Sequence, residues 1–184
     1  MKSIFIVLGF ISFMGVGFAQ KLYCPGGYML MNLSSEKCKF WASTTRSLSN
    51  FDGDASKFEA VVYKESVESQ NDSITKIFRE SFLEFDSFPE IRLTVKILEF
   101  EKMDRKKEFK QAIKMRGTLS LHGVKKQVEF NGNIYFRPKL AVVDYELYIK
   151  PEQFDLKLPK DMKNCLSPIM QIKGNAQLYA LELE

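Results

Sequence analysis

The segment from Gly117 to Phe136 constrains the fold more than any other part of this 184-residue chain. Leu119 and Leu121 alternate with polar residues, and after His122-Gly123-Val124-Lys125 the alternation resumes through Phe130 and beyond. Apolar residues at every second position are typical of a strand with one buried face. The segment therefore predicts two antiparallel strands joined by a tight turn.

The same alternation recurs along the chain. It covers residues 38–43, 91–97, 114–122, 127–136, 143–149 and 172–180, and we expect further strands at 28–33 and within 51–64. Turn-forming residues lie at most junctions. About eight antiparallel strands, each with one apolar face, close into a small barrel or stack as a sandwich. The prediction is one mainly β domain over residues 20–184.

One segment departs from this period. From Ile74 to Phe85 the apolar residues follow helical spacing, with Ser73 or Asp72 available to cap the first turn. Pro89 blocks continuation because proline has no backbone N–H. The prediction is one amphipathic helix between strands three and four, covering one side or end of the barrel. It either plugs the core or forms a lid over a cavity.

The first 19 residues have the features of a signal peptide. Lys2 is followed by the apolar run Ile4–Met14 and by Gly17-Phe18-Ala19, which predicts cleavage after Ala19 and export to the periplasm or outside the cell. An uncleaved anchor is the alternative. Export implies an oxidising compartment, where Cys24, Cys38 and Cys165 allow three different single disulfides. A free, buried Cys38 is equally compatible with the sequence.

Side-chain patterns for catalysis are not found. His122 is the only histidine, and its polar position beside a glycine predicts an exposed turn residue. The acidic pairs Glu84 with Asp86 and Asp52 with Asp54 have a spacing that is common on solvated surfaces. No metal-type spacing, phosphate-binding loop or dinucleotide motif is present, so we expect no enzymatic activity, metal or cofactor. The charges are interspersed, which argues against a nucleic-acid partner.

The many aromatic residues and the small inward-facing residues suggest that the protein binds an apolar ligand. The chain has 16 phenylalanines, and Gly117, Gly132, Gly174 and Ala176 fall on the apolar phase of their strands. Small residues at such positions either fit the taper of a barrel or leave room for a ligand. Gly26-Gly27 and Gly53 are instead expected in turns.

Four segments resemble the YceI-like family. Phe85-Asp86-Ser87-Phe88-Pro89-Glu90-Ile91 is similar to the approach to its fourth strand, and the residues from Gly117 to Val128 are similar to its G-x-L-x-x-x-G-V-x-K-x-V hairpin. Cys38–Ser43 with Phe51-Asp52-Gly53 resembles its early strand pair, and the residues from Ile149 to Leu156 resemble its late strand-to-loop motif. The order and spacing of these four segments match the family over nearly the whole chain after Ala19.

The resemblance implies a lipocalin-like eight-stranded antiparallel barrel with a helix over one side. It also implies an elongated pocket for a polyisoprenoid chain, an isoprenoid quinone or a similar amphiphile, and no shared enzymatic activity. Two departures lie where the mouth of that pocket is expected. Ile74-Thr75-Lys76-Ile77-Phe78-Arg79 lacks the family's Asp-x-His-Leu pattern, and Asp155 stands where glycine is usual.

The sequence therefore leads to an exported lipid-binding barrel that transports, stores or sequesters a long-chain isoprenoid. The candidate ligand-binding residues are the apolar inward positions Phe78, Phe82, Phe85, Val95, Ile97, Leu119, Phe130, Ile134, Tyr145, Leu147, Ile172 and Leu178. The alternative is a filled barrel that acts as an envelope or surface interaction module, with an apolar patch around Trp41 and Tyr135. An enzyme acting on a lipid-like substrate is a third hypothesis, but no polar cluster in the sequence supports it. Transient membrane contact and a homodimer are compatible with the sequence, which selects neither.

Overall fold

The computed structural model describes residues 21–104, 110–137 and 140–180. The predicted signal peptide lies outside these residues. The strands are β1 (Lys21–Asn32), β2 (Trp41–Asp52), β3 (Lys57–Tyr63), β4 (Glu90–Ile97), β5 (Gln111–Leu121), β6 (Val124–Arg137), β7 (Leu140–Ile149) and β8 (Met170–Ala180). Across the described residues, no helix has the length and apolar character needed to cross a membrane.

The eight strands form a closed antiparallel barrel. Each strand pairs with the next in sequence, and β8 pairs back with β1. The predicted fold class is confirmed. Because consecutive strands run up and down, the long β1–β2, β3–β4 and β7–β8 connections and the β5–β6 turn share one end, which we call the helical end.

The alternation in the sequence corresponds to the faces of the barrel. In β4, Ile91, Leu93, Val95 and Ile97 are buried while the residues between them are more exposed. The same holds along β7 and β8. Burial of this apolar face supplies the main driving force for closing the barrel.

The β5–β6 hairpin forms as predicted. Leu121 pairs with Val124, so the turn consists of His122 and Gly123 alone. Both have positive φ, 53° and 73°, as a two-residue hairpin turn of this twist requires.

The prediction that Gly26 and Gly27 lie in a turn is wrong, because they lie inside β1 at a break in its register with β2. Gly53 does lie in the β2–β3 turn.

The helical segment is shorter than predicted. An α-helix α1 (Asp72–Lys76) continues into a single π-helical stretch, Ile77–Phe82, and both lie between β3 and β4. Asn71, rather than Ser73 or Asp72, caps the first turn, since its side chain accepts a hydrogen bond from the backbone N–H of Ile74. Helical structure stops before Glu84, which has a φ of 44°, and not at Pro89. Phe85 is therefore buried from a loop position.

Two contacts outside the strand ladder tie the helical end together. Cys38 and Cys165 form a disulfide between the β1–β2 and β7–β8 connections, with their Cα atoms 5.6 Å apart, while Cys24 is a free buried cysteine. Cys38 precedes β2, so the expected strand at residues 38–43 begins only at Trp41. Ser43 forms an isolated bridge with Glu68, which covers the part of β2 that β3 leaves unpaired.

Candidate functional site: the barrel interior

The twelve predicted ligand-binding residues all lie in the interior of the molecule. Phe78, Phe82 and Phe85 come from the segment between β3 and β4, and the other nine come from β4 through β8. Their exposed fractions range from 0% at Phe78 to 8% at Phe130. The structure thus brings them into one apolar core. That they contact a ligand remains a prediction.

Gly117, Gly132 and Gly174 were expected either to fit the taper of the barrel or to leave room for a ligand. In the structure, neighbouring groups of the protein fill the space beside each of them. A Cβ atom added to Gly174 would lie 2.1 Å from Cζ of Tyr145, so the tyrosine ring lies across this glycine. A Cβ on Gly132 would lie 2.6 Å from the methyl carbon of Met115. Gly117 instead allows the β4 backbone at Thr94 and Val95 to approach closely. These glycines make space that the protein's own atoms use.

Four methionines are buried in the same core. Met29, Met31, Met115 and Met170 are each 1% exposed or less. Methionine is unbranched and flexible, and it adapts to differently shaped neighbours more readily than leucine or isoleucine. A ligand that displaces side chains in this barrel would meet the least resistance at these four.

A phenylalanine cluster closes the helical end. The rings of Phe40 and Phe78 stack with centroids 4.2 Å apart, and Phe82 packs edge-on against both. Their centroid separations match the favourable stacked and edge-to-face geometries of aromatic pairs. In this structure the helical segment therefore plugs the end of the barrel.

The opposite end is closed by a second aromatic group. Phe100, in the 3₁₀-helix Phe100–Lys102, lies edge-on to Phe51 at 5.0 Å and 6.1 Å from Phe136. Phe100 is 2% exposed. Both ends of the barrel are thus blocked by side chains.

The wall of the barrel is only partly paired between β6 and β7. These strands pair only from Gly132↔Tyr145 to Arg137↔Leu140, so residues 124–131 and 146–149 have no partner across this boundary. The pairing of the two strands ends at Tyr145, on the side toward the helical end. Val124, Val128 and Phe130 lie along the β6 side of this split, and the first two are only partly buried.

The split is bridged by the 3₁₀-helix Pro151–Phe154 and by His122. The Nδ1 atom of His122 donates a hydrogen bond to the carbonyl oxygen of Phe154 at 3.1 Å, since a carbonyl can only accept. The His122 ring also lies 4.4 Å from the Phe88 ring, and its Nε2 atom lies 3.5 Å from Oε2 of Glu84. The prediction of an exposed His122 is wrong, because groups distant in sequence cover it and leave its side chain 9% exposed.

Asp155 shows why the family pattern has glycine at this position. It ends the Pro151–Phe154 helix with a φ of 56°, in the left-handed region that glycine adopts without steric cost. Aspartate tolerates this conformation better than most residues. The bend that carries the chain over the split is therefore preserved.

Tyr145 places a hydroxyl group in the interior at the point where the split begins. The residue is 4% exposed. Its ring contacts Phe58 at 5.7 Å and Phe130 at 6.1 Å. Burial raises the pKa of the Tyr145 phenol well above its ordinary value.

Among the described residues, no charged side chain is buried in the barrel interior. Among the described residues, the buried polar side chains are Thr44, Ser47, Ser49 and Ser66, and none of these ionises at ordinary pH. The described residues also contain no group of three or more acidic, cysteine or histidine side chains that could hold a metal. The interior is therefore suited to an uncharged, largely apolar guest.

A groove of about 550 Å³ lies elsewhere, beside the connection from β4 to β5. It includes Glu99, Lys102 and Lys114 together with Leu98 and Ile113, and none of the twelve predicted residues. Its mixed polar lining is less suited to a long apolar chain than the core.

Comparison with known proteins identifies the family. The YceI-like domain model matches residues 32–178, which is most of the chain. The chain belongs to the YceI-like family. Among curated proteins, none matches this sequence.

Solved structures share the YceI-like barrel at low sequence identity. A polyisoprenoid binding domain from Saccharophagus degradans, implicated in plant cell wall breakdown, has a TM-score of 0.74 and 16% identity, over 89% of this chain and 99% of its own. BcnA of Burkholderia cenocepacia has a TM-score of 0.64 and 12% identity, over 84% of this chain and 96% of its own. The YCEI protein of Campylobacter jejuni has a TM-score of 0.53 and 18% identity, over 84% and 85%. At these identities the likeness establishes the fold.

Proposed function

We propose that this YceI-like protein is exported and holds one long-chain isoprenoid lipid inside its barrel, for transport, storage or sequestration, without enzymatic activity. The observation that carries the proposal is the uncharged and apolar interior of a closed barrel in this family. One structural neighbour is described as polyisoprenoid-binding, which supports the same ligand class. Each buried CH₂ group of such a lipid contributes about 0.8 kcal/mol before the costs of association.

To bind the lipid, side chains in the barrel interior have to move and make space for the isoprenoid tail. Met29, Met115 and Met170 can change rotamer at small cost, and the lipid replaces the contacts that they lose. The unpaired stretches of β6 and β7 provide a lateral route, because separating them further breaks no strand-to-strand hydrogen bonds. The His122–Phe154 contact and the 3₁₀-helix beside it would then act as the closure of this route.

The disulfide supports the proposed export. A bridge such as Cys38–Cys165 persists in oxidising compartments and is rare in the reducing cytosol. It also fixes the β7–β8 connection against the β1–β2 connection.

A titration with all-trans isoprenoid alcohols of increasing length, followed by native mass spectrometry, tests lipid binding. We expect one molecule per protein and an affinity that rises with chain length until the barrel is filled. The inward Ala176→Phe substitution should weaken binding, while the neighbouring outward Gln177→Phe substitution should not. An affinity that does not depend on chain length, or equal effects of the two substitutions in folded variants, would argue against an interior site.

The second candidate function is a filled barrel that binds a partner through its outer surface. The expected patch around Trp41 and Tyr135 does not form, because these half-buried residues lie at opposite ends of the barrel. Tyr23 and Tyr179, which are 36% and 50% exposed, pair directly across β1 and β8 instead. Loss of a partner on Tyr179→Ser substitution, with no lipid found in the barrel, would favour this function.

A further inference from the structure

We propose that His122 and Glu84 form a proton-controlled latch on the β6–β7 boundary, which closes more tightly when the imidazole ring of His122 is protonated. The inference goes beyond the proposed function, because it concerns how one part of the barrel wall opens, with or without a ligand. One consequence, the control of lipid exchange by pH, rests on the proposed function and has its own test.

The hydrogen bond to Phe154 fixes the tautomer of the neutral His122 ring. The carbonyl oxygen of Phe154 can only accept, so the ring carries its proton on Nδ1 and leaves Nε2 as an acceptor. This Nε2 atom is buried without a hydrogen-bond partner, and it alone is in that position among the buried side-chain nitrogen and oxygen atoms of the described residues. An unpaired buried acceptor destabilises the closed arrangement.

Glu84 lies opposite this unpaired nitrogen. Its Oε2 atom is 3.5 Å from Nε2, just beyond the usual length of an N–H···O hydrogen bond. While the ring is neutral, two acceptors face each other and no hydrogen bond between them can form. A proton on Nε2 turns the nitrogen into a donor, and a small approach of Glu84 then completes a charge-assisted hydrogen bond. The protonated ring donates to Phe154 and to Glu84 at once.

The charged residues on the elements that surround the ring are mostly acidic. They are Glu84 and Asp86 before β4, Glu152 and Asp155 in and after the 3₁₀-helix Pro151–Phe154, and the bases Lys125 after the turn and Lys150 before that helix. Burial of the ring opposes a positive charge. The Glu84 side chain is 45% exposed, however, so its carboxylate stays hydrated while it pairs with the ring.

The local backbone holds the two partners in place. Glu84, His122 and Asp155 are three of the five described non-glycine residues with positive φ. Such conformations are sparsely populated and persist where the surrounding structure holds them. The Phe88 ring lies 4.4 Å from the His122 ring and packs against Gly123, where an added Cβ would be 2.6 Å from it. Phe88 thus packs beside the turn that presents His122 to Glu84.

The two bonds of the protonated ring join three elements around the unpaired part of the β6–β7 boundary. His122 belongs to the β5–β6 turn, Glu84 to the segment before β4, and Phe154 to the helix after β7. When the boundary opens, water reaches the ring and satisfies Nε2 in either protonation state. The closed state therefore gains more from the proton than the open state does, and lowering the pH stabilises the closed state.

Amide hydrogen exchange of the full protein at two pH values tests the latch. Histidine is the side chain whose charge ordinarily changes between about pH 5 and pH 8. The chain has one histidine, so a change in this range points to His122. After correction for the intrinsic pH dependence of exchange, we expect residues 124–131 and 146–156 to exchange roughly 5-fold more slowly at pH 5 than at pH 8, as one charge-assisted hydrogen bond allows. Residues 91–97, which pair on both sides, should show equal corrected rates.

Glu84→Gln separates the latch from a merely structural contact. The glutamine side chain keeps the shape of glutamate and adds an N–H donor, which can pair with Nε2 of the neutral ring. We therefore expect slow exchange at both pH values in this variant. Glu80→Gln is the matched control in the preceding helical segment, because Glu80 is 51% exposed and pairs with Lys76, and it should keep the pH dependence. Nitrogen-15 NMR of the ring should show the proton of the neutral form on Nδ1.

Each result decides the proposal. Equal corrected exchange at the two pH values in the unmodified protein, or an unchanged pH dependence in Glu84→Gln, overturns the latch. A neutral ring with its proton on Nε2 also overturns it. A pH dependence that Glu84→Gln removes and Glu80→Gln retains supports it.

Transfer of decaprenol between the protein and phosphatidylcholine vesicles tests the consequence for lipid exchange. We expect transfer to be slower at pH 5 than at pH 8 in the unmodified protein, and equally slow at both in Glu84→Gln. Equal transfer rates in the unmodified protein would show that the latch does not control lipid exchange. If decaprenol does not bind, the proposed function fails, while the hydrogen-exchange result still decides the latch.

Discussion

His122 donates a hydrogen bond from Nδ1 to the carbonyl oxygen of Phe154, 32 residues further along the chain. The bond joins the β5–β6 turn to the 3₁₀-helix that follows β7. It therefore crosses the part of the β6–β7 boundary that lies toward the helical end, where the two strands have no backbone pairing. A side chain that sequence alone places on the surface thus holds the barrel wall together.

Replacing His122 with asparagine should loosen this boundary. Asparagine tolerates the positive φ of this position, but its side chain is too short to replace the ring. We expect a loss of about 1 to 2 kcal/mol in unfolding free energy and faster amide hydrogen exchange in residues 124–131 and 146–156. Lys125→Ala, an exposed change beside the same turn, is the control. Unchanged exchange in both segments of His122→Asn would show that the bond does not hold the split.

The strand faces could be predicted from the sequence because period-two alternation reports directly which side chains point inward. Val95, Leu147 and Ile172 are examples, and each is buried as expected. The helical end was harder to predict, since Phe85 is buried by its neighbours rather than by a continuing helix. The positive φ of Glu84 that ends the helical segment has no clear signal in the residue itself.

The details of the site depend on strand register, which alternation within single strands does not give. The ring of Tyr145 lies over Gly174 because β7 and β8 pair these two residues. The β6–β7 split likewise appears only when the pairing of both strands is known. His122 was predicted to be exposed because the alternation in its own strand places it on the polar face. Phe88 and Phe154 contact it from other elements, and the alternation carries no information about them.

Gly174→Ala should destabilise the protein through a contact with one side chain. The added Cβ would lie 2.1 Å from Cζ of Tyr145, so the ring has to move within a packed core. We expect a loss of about 1 to 3 kcal/mol, measured by urea denaturation. Gly26→Ala is the matched control, because its Cβ would meet only the Thr45 carbonyl oxygen at 3.4 Å.

The same contact predicts coupling between the two positions. Combining Gly174→Ala with Tyr145→Leu should cost less than the sum of the two single changes, because the smaller side chain leaves room for the methyl group. Simple additivity of the two free energies would mean that Tyr145 is not the group that the alanine displaces.

Reducing the disulfide should lower stability without removing the barrel topology. The bridge joins residues 127 apart in sequence, and native disulfides typically contribute about 2 to 5 kcal/mol. Cys165→Ser should reproduce the effect of reductant, and adding reductant to this variant should then change little. Cys24→Ala should keep the bridge and the sensitivity to reductant. Peptide mapping that found Cys24 in a disulfide would contradict this pairing.

Tyr145 should make the protein less stable at alkaline pH. Burial raises the folded-state pKa of its phenol above the unfolded value of about 10. The stability linked to this group is fully present below pH 10 and is lost as the pH rises toward the folded pKa, because the unfolded state ionises first. Between pH 8 and pH 11, Tyr145→Phe should therefore lose about 1.4 kcal/mol less than the unmodified protein. Urea denaturation at the two pH values measures this difference. Tyr148→Phe should behave like the unmodified protein, and an equal loss in Tyr145→Phe would contradict the buried position of the phenol.

The central claim is that the barrel holds an isoprenoid lipid, and the contents of the purified protein test it most directly. Full-length protein would be expressed, allowed to export, purified without detergent, and examined by native mass spectrometry followed by organic extraction. We predict one long-chain isoprenoid per protein, released only when the barrel is unfolded or its β6–β7 boundary is loosened. Protein that has the mass of the bare polypeptide, and that takes up no isoprenoid when a mixture is added, would contradict the claim.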